Sequence, residues 1–216
     1  GPFRGGTLQD ARETCGSGQA VAMFEAFETR YWPLTFVPIR HFFGYWIARR
    51  GDRRCPDKGD IDPVDIPALV PDLILYDAPD DGGTFRYRLA GARAERLLGR
   101  EVRGLTQREV HADASEPAVL REVARGEREY AWIAREFTGC FRVTRLAVPD
   151  REHVQIARLT LPLSDLDGRA RHLVTIMVET EDALPPGVAH FGIDLARMAP
   201  FALPGDLLVP NGASGA

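Results

Sequence analysis

Lysine is almost absent from this chain. Of its 27 basic residues only Lys58 is a lysine, and the rest are arginine. Arginine suits planar, two-pronged contacts to carboxylate or phosphate better than lysine does, although codon bias alone produces such a skew. Cysteine is scarce as well. Cys15, Cys55 and Cys140 lie far apart, which leaves no CxxC pair and no zinc-ligand spacing and fits a reducing, cytoplasmic setting. No apolar run approaches the roughly 20 residues that cross a bilayer. No charged-then-apolar leader opens the chain, so neither a membrane span nor secretion is expected. An excess of positive charge is missing too: the net charge is −4 with both signs dispersed, a poor footprint for nucleic acid. No GxSxG elbow appears, and no Cys or Ser has a recognisable His partner in sequence. The five histidines are not paired at metal spacing.

What is present suits one domain with extensions. The N-terminal "QAVAMFEAFETRYW" sets Val21, Phe24 and Phe27 at helical spacing, with Glu25 and Glu28 between them. A second helix follows in "PIRHFFGYWIARRGD". Pro38 suits its first turn, Arg49 and Arg50 its last, and Gly51 its stop. Strand patterns then begin, with "DLILYDA" and "TFRYRLA" around the turn "PDDGG". Short and long helices follow in "ARAERLLG" and "SEPAVLREVARGEREYAWIAREF". Three strands, "CFRVTRLAV", "HVQIARLTLPL" and "RHLVTIMVE", close the folded part. Strands are expected near 72–78, 84–90, 139–148, 153–162 and 171–180. Hairpin connections make the sheet antiparallel and the class α+β. The chain divides into an N-terminal extension at 1–37, a domain at 38–180 and a Pro/Gly-rich tail at 181–216.

The stretch "RRCPDKGDIDPVDIPALVPDLILYD" crowds Asp57, Asp60, Asp62 and Asp65 among prolines. Their spacing lacks the alternation, central Gly and closing Glu of a calcium loop. Asp62 is expected to cap a helical turn opened by Pro63, with Asp65 near its positive end. The cluster therefore reads as a shaped lead into the first strand and not as a metal or catalytic centre. The RxxxR spacing of Arg49/Arg53 or Arg50/Arg54, with "DAPDDG" downstream, approaches a cyclic-dinucleotide motif. Pro79 departs from that motif, and a solvated helix end is the plainer account.

The words "YWIARRGDRRCPDKGDIDPVDIPALVPDLILYD", "FRYRLAGARAERLLGREVRGLT" and "LTLPLSDLDGRARHLVTIMVE" resemble a bacterial family of stand-alone PAS-domain proteins, over roughly residues 38 to 180. The resemblance implies a PAS-like five-stranded antiparallel sheet, with helices covering one face and N-terminal helices in front. It further implies a sensory or protein-interaction module that binds a small ligand or partner and signals by changed association with an unidentified signalling protein, without catalysis of its own. The rivals are an enzyme using a sheet-face pocket and a dimerising scaffold with a filled core.

No cofactor is named by the resemblance. Cys140 lacks the Asn-Cys-Arg-Phe surroundings of photoactive flavin domains, and His111 before the long helix offers one axial ligand without a haem motif. The parts that face one another in such a fold give Tyr87, His111, Trp132, Phe141 and Arg158 as ligand-binding candidates. Arg158 is the group able to hold an acid in two-pronged fashion. Arg145 and Arg158 interrupt apolar strands, so either would need an anionic partner if it faces the covered side.

Domains of this kind commonly dimerise through a flanking helix, so the Val21, Phe24 and Phe27 stripe is expected to support a homodimer with the same patch on both partners. Sedimentation of a chain beginning near residue 36 should then give monomer where the full chain gives dimer. An unchanged dimer would contradict the assignment.

Overall fold

The computed structural model describes residues 36–78, 84–146, 148, 151, 153–181 and 190–201. Helix α1 (Val37–Arg50) comes first, with Pro38 in its first turn. Gly51 ends it at a φ of 56°, a conformation open to glycine. Strands β1 (Leu73–Asp77) and β2 (Arg86–Ala90) follow. Helices α2 (Ala92–Leu98), α3 (Gln107–Val110) and α4 (Pro117–Glu136) come next. The chain then forms β3 (Gly139–Arg145), β4 (Gln155–Leu163), β5 (His172–Glu179), β6 (His190–Asp194) and β7 (Ala199–Phe201).

The strands make one sheet in the order β2-β1-β5-β4-β3-β6-β7, with every neighbouring pair antiparallel. All five expected strands are present, each within two or three residues of its expected bounds. Two more extend the sheet beyond residue 181, in the stretch read as a tail. The signal there was short. Only Phe191 and Ile193 alternate around Gly192, and both bury against the same core as α1.

Strand alternation divides the sheet into two faces. Along β4, Ala157, Leu159, Leu161 and Leu163 point to one side, so Ile156, Arg158 and Thr160 point to the other. The first face carries α1, whose Ile39, Phe42, Phe43 and Trp46 have no exposed surface. Trp46 Nε1 donates to the Pro162 carbonyl at 3.2 Å, which keeps its polar end satisfied. The opposite face carries α2, α3 and α4, with Ile74, Tyr76, Leu173 and Met177 in its core. Helices therefore cover both faces, where one was expected. The amphipathic helix expected at Val21, Phe24 and Phe27 lies outside the described residues.

The acidic lead-in is held by backbone and arginine. Asp57 and Asp60 form a reciprocal cap around the short turn Lys58–Asp60. Arg53 donates to Asp57 at 3.0 Å and to Asp60 at 2.7 Å. Asp62 accepts from the Val64 N–H at 2.9 Å, which closes an Asx turn. Asp65 pairs with Arg49 and accepts from Tyr45 Oη at 3.2 Å. Of the downstream half of the cyclic-dinucleotide spacing, Asp77 to Gly82, Asp77 ends β1 and residues 79–82 lie outside the described residues.

The lead-in ends at the short 3-10 segment Val70–Asp72. There the buried Asp72 accepts from Arg93 of α2 at 2.6 and 2.5 Å. Gly91 sits in this joint and donates its N–H to the Leu73 carbonyl at 2.8 Å. A Cβ at Gly91 would stand 2.2 Å from the Val70 carbonyl oxygen and 2.4 Å from that of Pro71. Backbone cannot yield as a side chain would. Gly91→Ala should therefore cost about 2–3 kcal/mol of unfolding free energy, read by urea denaturation. A neutral effect would show that the joint is looser than described.

Candidate functional site

Between α4 and the sheet lies a cavity of about 60 Å³. Its walls come from β1, β2, the α2 end, α3, α4 and the three central strands. One water needs roughly 10–15 Å³ of such space, so the cavity suits a few waters or a solute of a handful of heavy atoms. Ile74, Leu98, Val123, Ile156 and Met177 form an apolar wall. Tyr76 and Tyr87 form an aromatic one, with ring centroids 4.7 Å apart. Tyr130 of α4 packs against Tyr76 with ring centroids 4.8 Å apart and donates its hydroxyl proton to the Tyr76 hydroxyl at 2.9 Å. Burial pushes all three phenols up from their ordinary values, so they remain hydroxyls. Gln107 lies within hydrogen-bonding reach of Tyr87 and Tyr130. It fits because Gly126 of α4 has no side chain: a Cβ there would meet Gln107 Oε1 at 2.3 Å.

The polar end of the cavity is built on arginine. The register of β3 and β4 sets Arg142 directly opposite Arg158, and like charges so placed repel. The compensation comes from α4. Glu129 is 1% exposed. It lies 3.7 Å from Arg158 Nη2 and 3.8 Å from Arg142 Nη1. Glu122 takes Arg142 at 3.2 Å and Arg125 at 3.0 Å. A guanidinium only donates, so Arg125 Nη2 gives its proton to His190 Nδ1 at 2.5 Å. The His190 Nε2 proton is then directed at Glu129, 3.3 Å away. Burial would raise the Glu129 acid, but the His190 hydrogen bond and the charges of Arg158 and Arg125 outweigh it and hold it below the usual carboxylate range. Glu129 is therefore an anion inside the protein.

Of the candidates named from sequence, Tyr87, His111 and Arg158 line this cavity together. His111 is held below its ordinary value by burial and by the charge of Arg100. The other two lie elsewhere. Phe141 alternates with Cys140 and Arg142 and so points to the α1 face, where it has no exposed surface. Trp132 is two residues from Tyr130, about 200° around the helix. It borders an open trough of about 710 Å³ with Arg54, Phe137 and Asp194, where the Arg54 guanidinium lies 3.7 Å over the Phe137 ring. Arg145, the second strand arginine flagged from sequence, is exposed at the cavity mouth. Arg125, Arg142, Glu129 and His190 were not foreseen.

Glu129, Cys140 and His190 bring one donor atom each within 4.8 Å of one another. As types these are metal ligands, but the surroundings do not fit a cation. The Arg125, Arg142 and Arg158 guanidiniums crowd the same carboxylate, and His190 Nδ1 is already engaged. Burial, followed by the Glu129 charge, pushes the Cys140 thiol well up. The cluster is an ion-pair network.

Residues 35–177 match the family model described as PAS domain. No curated protein matches the chain. Among solved structures, the PAS domain of Bordetella pertussis BvgS is 17% identical with a TM-score of 0.40, covering 56% of this chain and 89% of that one. An RNA-binding Light-Oxygen-Voltage receptor is 14% identical with a TM-score of 0.35, covering 79% of this chain and 59% of that one.

Removing the Glu129 charge takes the carboxylate from beside the largely buried Arg158 and leaves Arg142 and Arg125 to share Glu122. Glu129→Gln should destabilise the fold by about 3–5 kcal/mol at neutral pH. The sign with pH follows from the depressed acid. Its contribution is complete above the ordinary value of 4.5 and is lost as pH falls through the lower folded value. Denaturation of both proteins across that window should show the gap between them closing towards acid. A constant gap would contradict the assignment of the charge.

Proposed function

The chain belongs to the PAS domain family, and from that premise we propose a sensory or protein-interaction module that takes a small ligand into the cavity beneath α4. Occupancy is passed on as changed association with a second copy or with another protein. The observation that carries this reading is the position of the cavity. One wall is the central sheet, the other is the long helix, and Glu122, Arg142 and Arg158, whose ion pairs seat that helix, stand in the cavity's lining. A ligand that touches Arg142 or Arg158 acts on the same groups that hold Glu122 and Glu129. It can thus shift the population of α4 positions, provided that it binds one of them better.

The chemistry supports binding over turnover. Burial pushes the Cys55 thiol up to about 11 and the Cys140 thiol well above its ordinary value, so neither is an activated nucleophile. His111, on the cavity wall, stands beside Arg100 and has no carboxylate to orient it among the described interactions. No described helix is long and apolar enough to cross a membrane.

Native mass spectrometry of the full chain, freshly purified, tests the reading. The expected result is a small adduct that is lost on collisional activation and is absent from Arg158→Met. Its removal should change the monomer–dimer ratio. A protein without adduct, whose melting temperature ignores a library of small solutes, would instead be a scaffold with a filled core.

A further inference from the structure

We infer that the ligand of this cavity is a short-chain monocarboxylate, with its carboxylate on Arg142 and Arg158 and its chain on the wall of Ile74, Ile156 and Met177. The inference rests on the cavity being a ligand site and names the ligand's class. Its first support is charge. Among the described residues, Arg125, Arg142 and Arg158 share only Glu122 and Glu129 at this end of the cavity. Three guanidiniums against two carboxylates leave one positive charge in excess, and buried charge is costly unless paired.

The second support is hydrogen bonding. Arg142 Nε, Arg158 Nε and Arg158 Nη2 are buried donors that make no hydrogen bond, and the Arg142 side chain is only 5% exposed. Arg158 reaches Glu129 at 3.7 Å, which is attraction without a hydrogen bond. The guanidinium of Arg158, a residue of the cavity lining, therefore has donors to spare, and a planar carboxylate matches its fork. The third support is the remaining lining. Beyond the arginines, Ile74, Leu98, Val123, Ile156 and Met177 make an apolar wall beside the Tyr76 and Tyr87 rings, and the Thr175 hydroxyl is already in contact with Thr160 at 2.9 Å. An inorganic anion would leave the apolar wall unused, whereas a carboxylate with a short apolar tail uses both the arginines and that wall. About 60 Å³ limits that tail to a few carbons.

The incoming carboxylate competes with Glu129 for Arg158. This gives an expectation that a purely structural arginine would not. Removing the Glu129 charge should destabilise the protein and yet tighten binding, because the internal rival is gone.

Isothermal titration of the full chain with acetate, propionate, butyrate and pyruvate, against propionamide, butyramide, chloride and nitrate, tests this. The expected result is binding of the carboxylates alone, at least tenfold tighter in Glu129→Gln and at least tenfold weaker in Arg158→Met. Circular dichroism confirms that each variant is folded, and Arg158→Lys serves where Arg158→Met is not. Carboxylates should also restore more of the melting temperature of Glu129→Gln than of wild type. Amides that bind as well as the acids would overturn the carboxylate while leaving the cavity a ligand site. Nitrate or chloride binding as tightly as butyrate would overturn the organic ligand. No binding by any probe would overturn this assignment, and the adduct measured by native mass spectrometry would then decide the cavity's role separately.

Discussion

Two arginines stand directly opposite each other on central strands of a covered sheet, and the arrangement around them follows from that repulsion. On the face that α4 covers, Arg142 is buried and the Arg158 side chain keeps only 11% of its surface exposed. They persist because α4 brings Glu129 and Glu122 down onto them. The helix is in turn seated by those ion pairs as well as by Tyr130 and Ile133 in the apolar core. Packing and electrostatics thus act at the same interface, with the cavity beside both.

The other face shows why such a polar interior is tolerable. There α1 and the inner residues of β3, β4, β5 and β6 form an apolar core with large side chains free of solvent. Burying a side chain of Phe or Leu size contributes about 1.5–3 kcal/mol. The α1 core therefore supplies stability that helps to offset the cost of the charges buried on the α4 face. A sheet covered on one face alone would lack that reserve. This division leaves the α4 face free to carry a site whose groups are positioned for contact and only partly satisfied within the protein.

Much of this architecture was legible in the sequence. Pro38, the stripe from Ile39 to Ile47 and Gly51 mark α1, and period-two alternation marks five strands. The site was legible in part. Tyr87 and Arg158 were named from the parts that face one another in such a fold and do line the cavity, but Phe141, named on the same ground, falls on the other side of β3 by a single residue of register. Arg142 went unnoticed because its opposition to Arg158 depends on how the β3–β4 connection sets the hairpin, which local pattern does not reveal. Glu129 was hidden among the many charges of α4. A signal existed: Glu122, Arg125 and Glu129 recur at i, i+3 and i+7, one face of a helix. Charged residues at that spacing ordinarily mark a solvated face, so only knowledge of what the face packs against distinguishes the two. β6 was missed because five residues after a Pro/Gly-rich stretch carry little periodic signal.

The central claim is that the Glu129 carboxylate, through Arg142 and Arg158, holds α4 on the sheet. Amide hydrogen exchange of α4 residues 122–133, compared between wild type and Glu129→Gln at neutral pH, tests it most directly. The account predicts faster exchange along α4 in the variant, with the α1 segment less affected. Equal protection of α4 in the two proteins would show that the helix is seated by apolar packing alone, and that the buried charges have no part in its position.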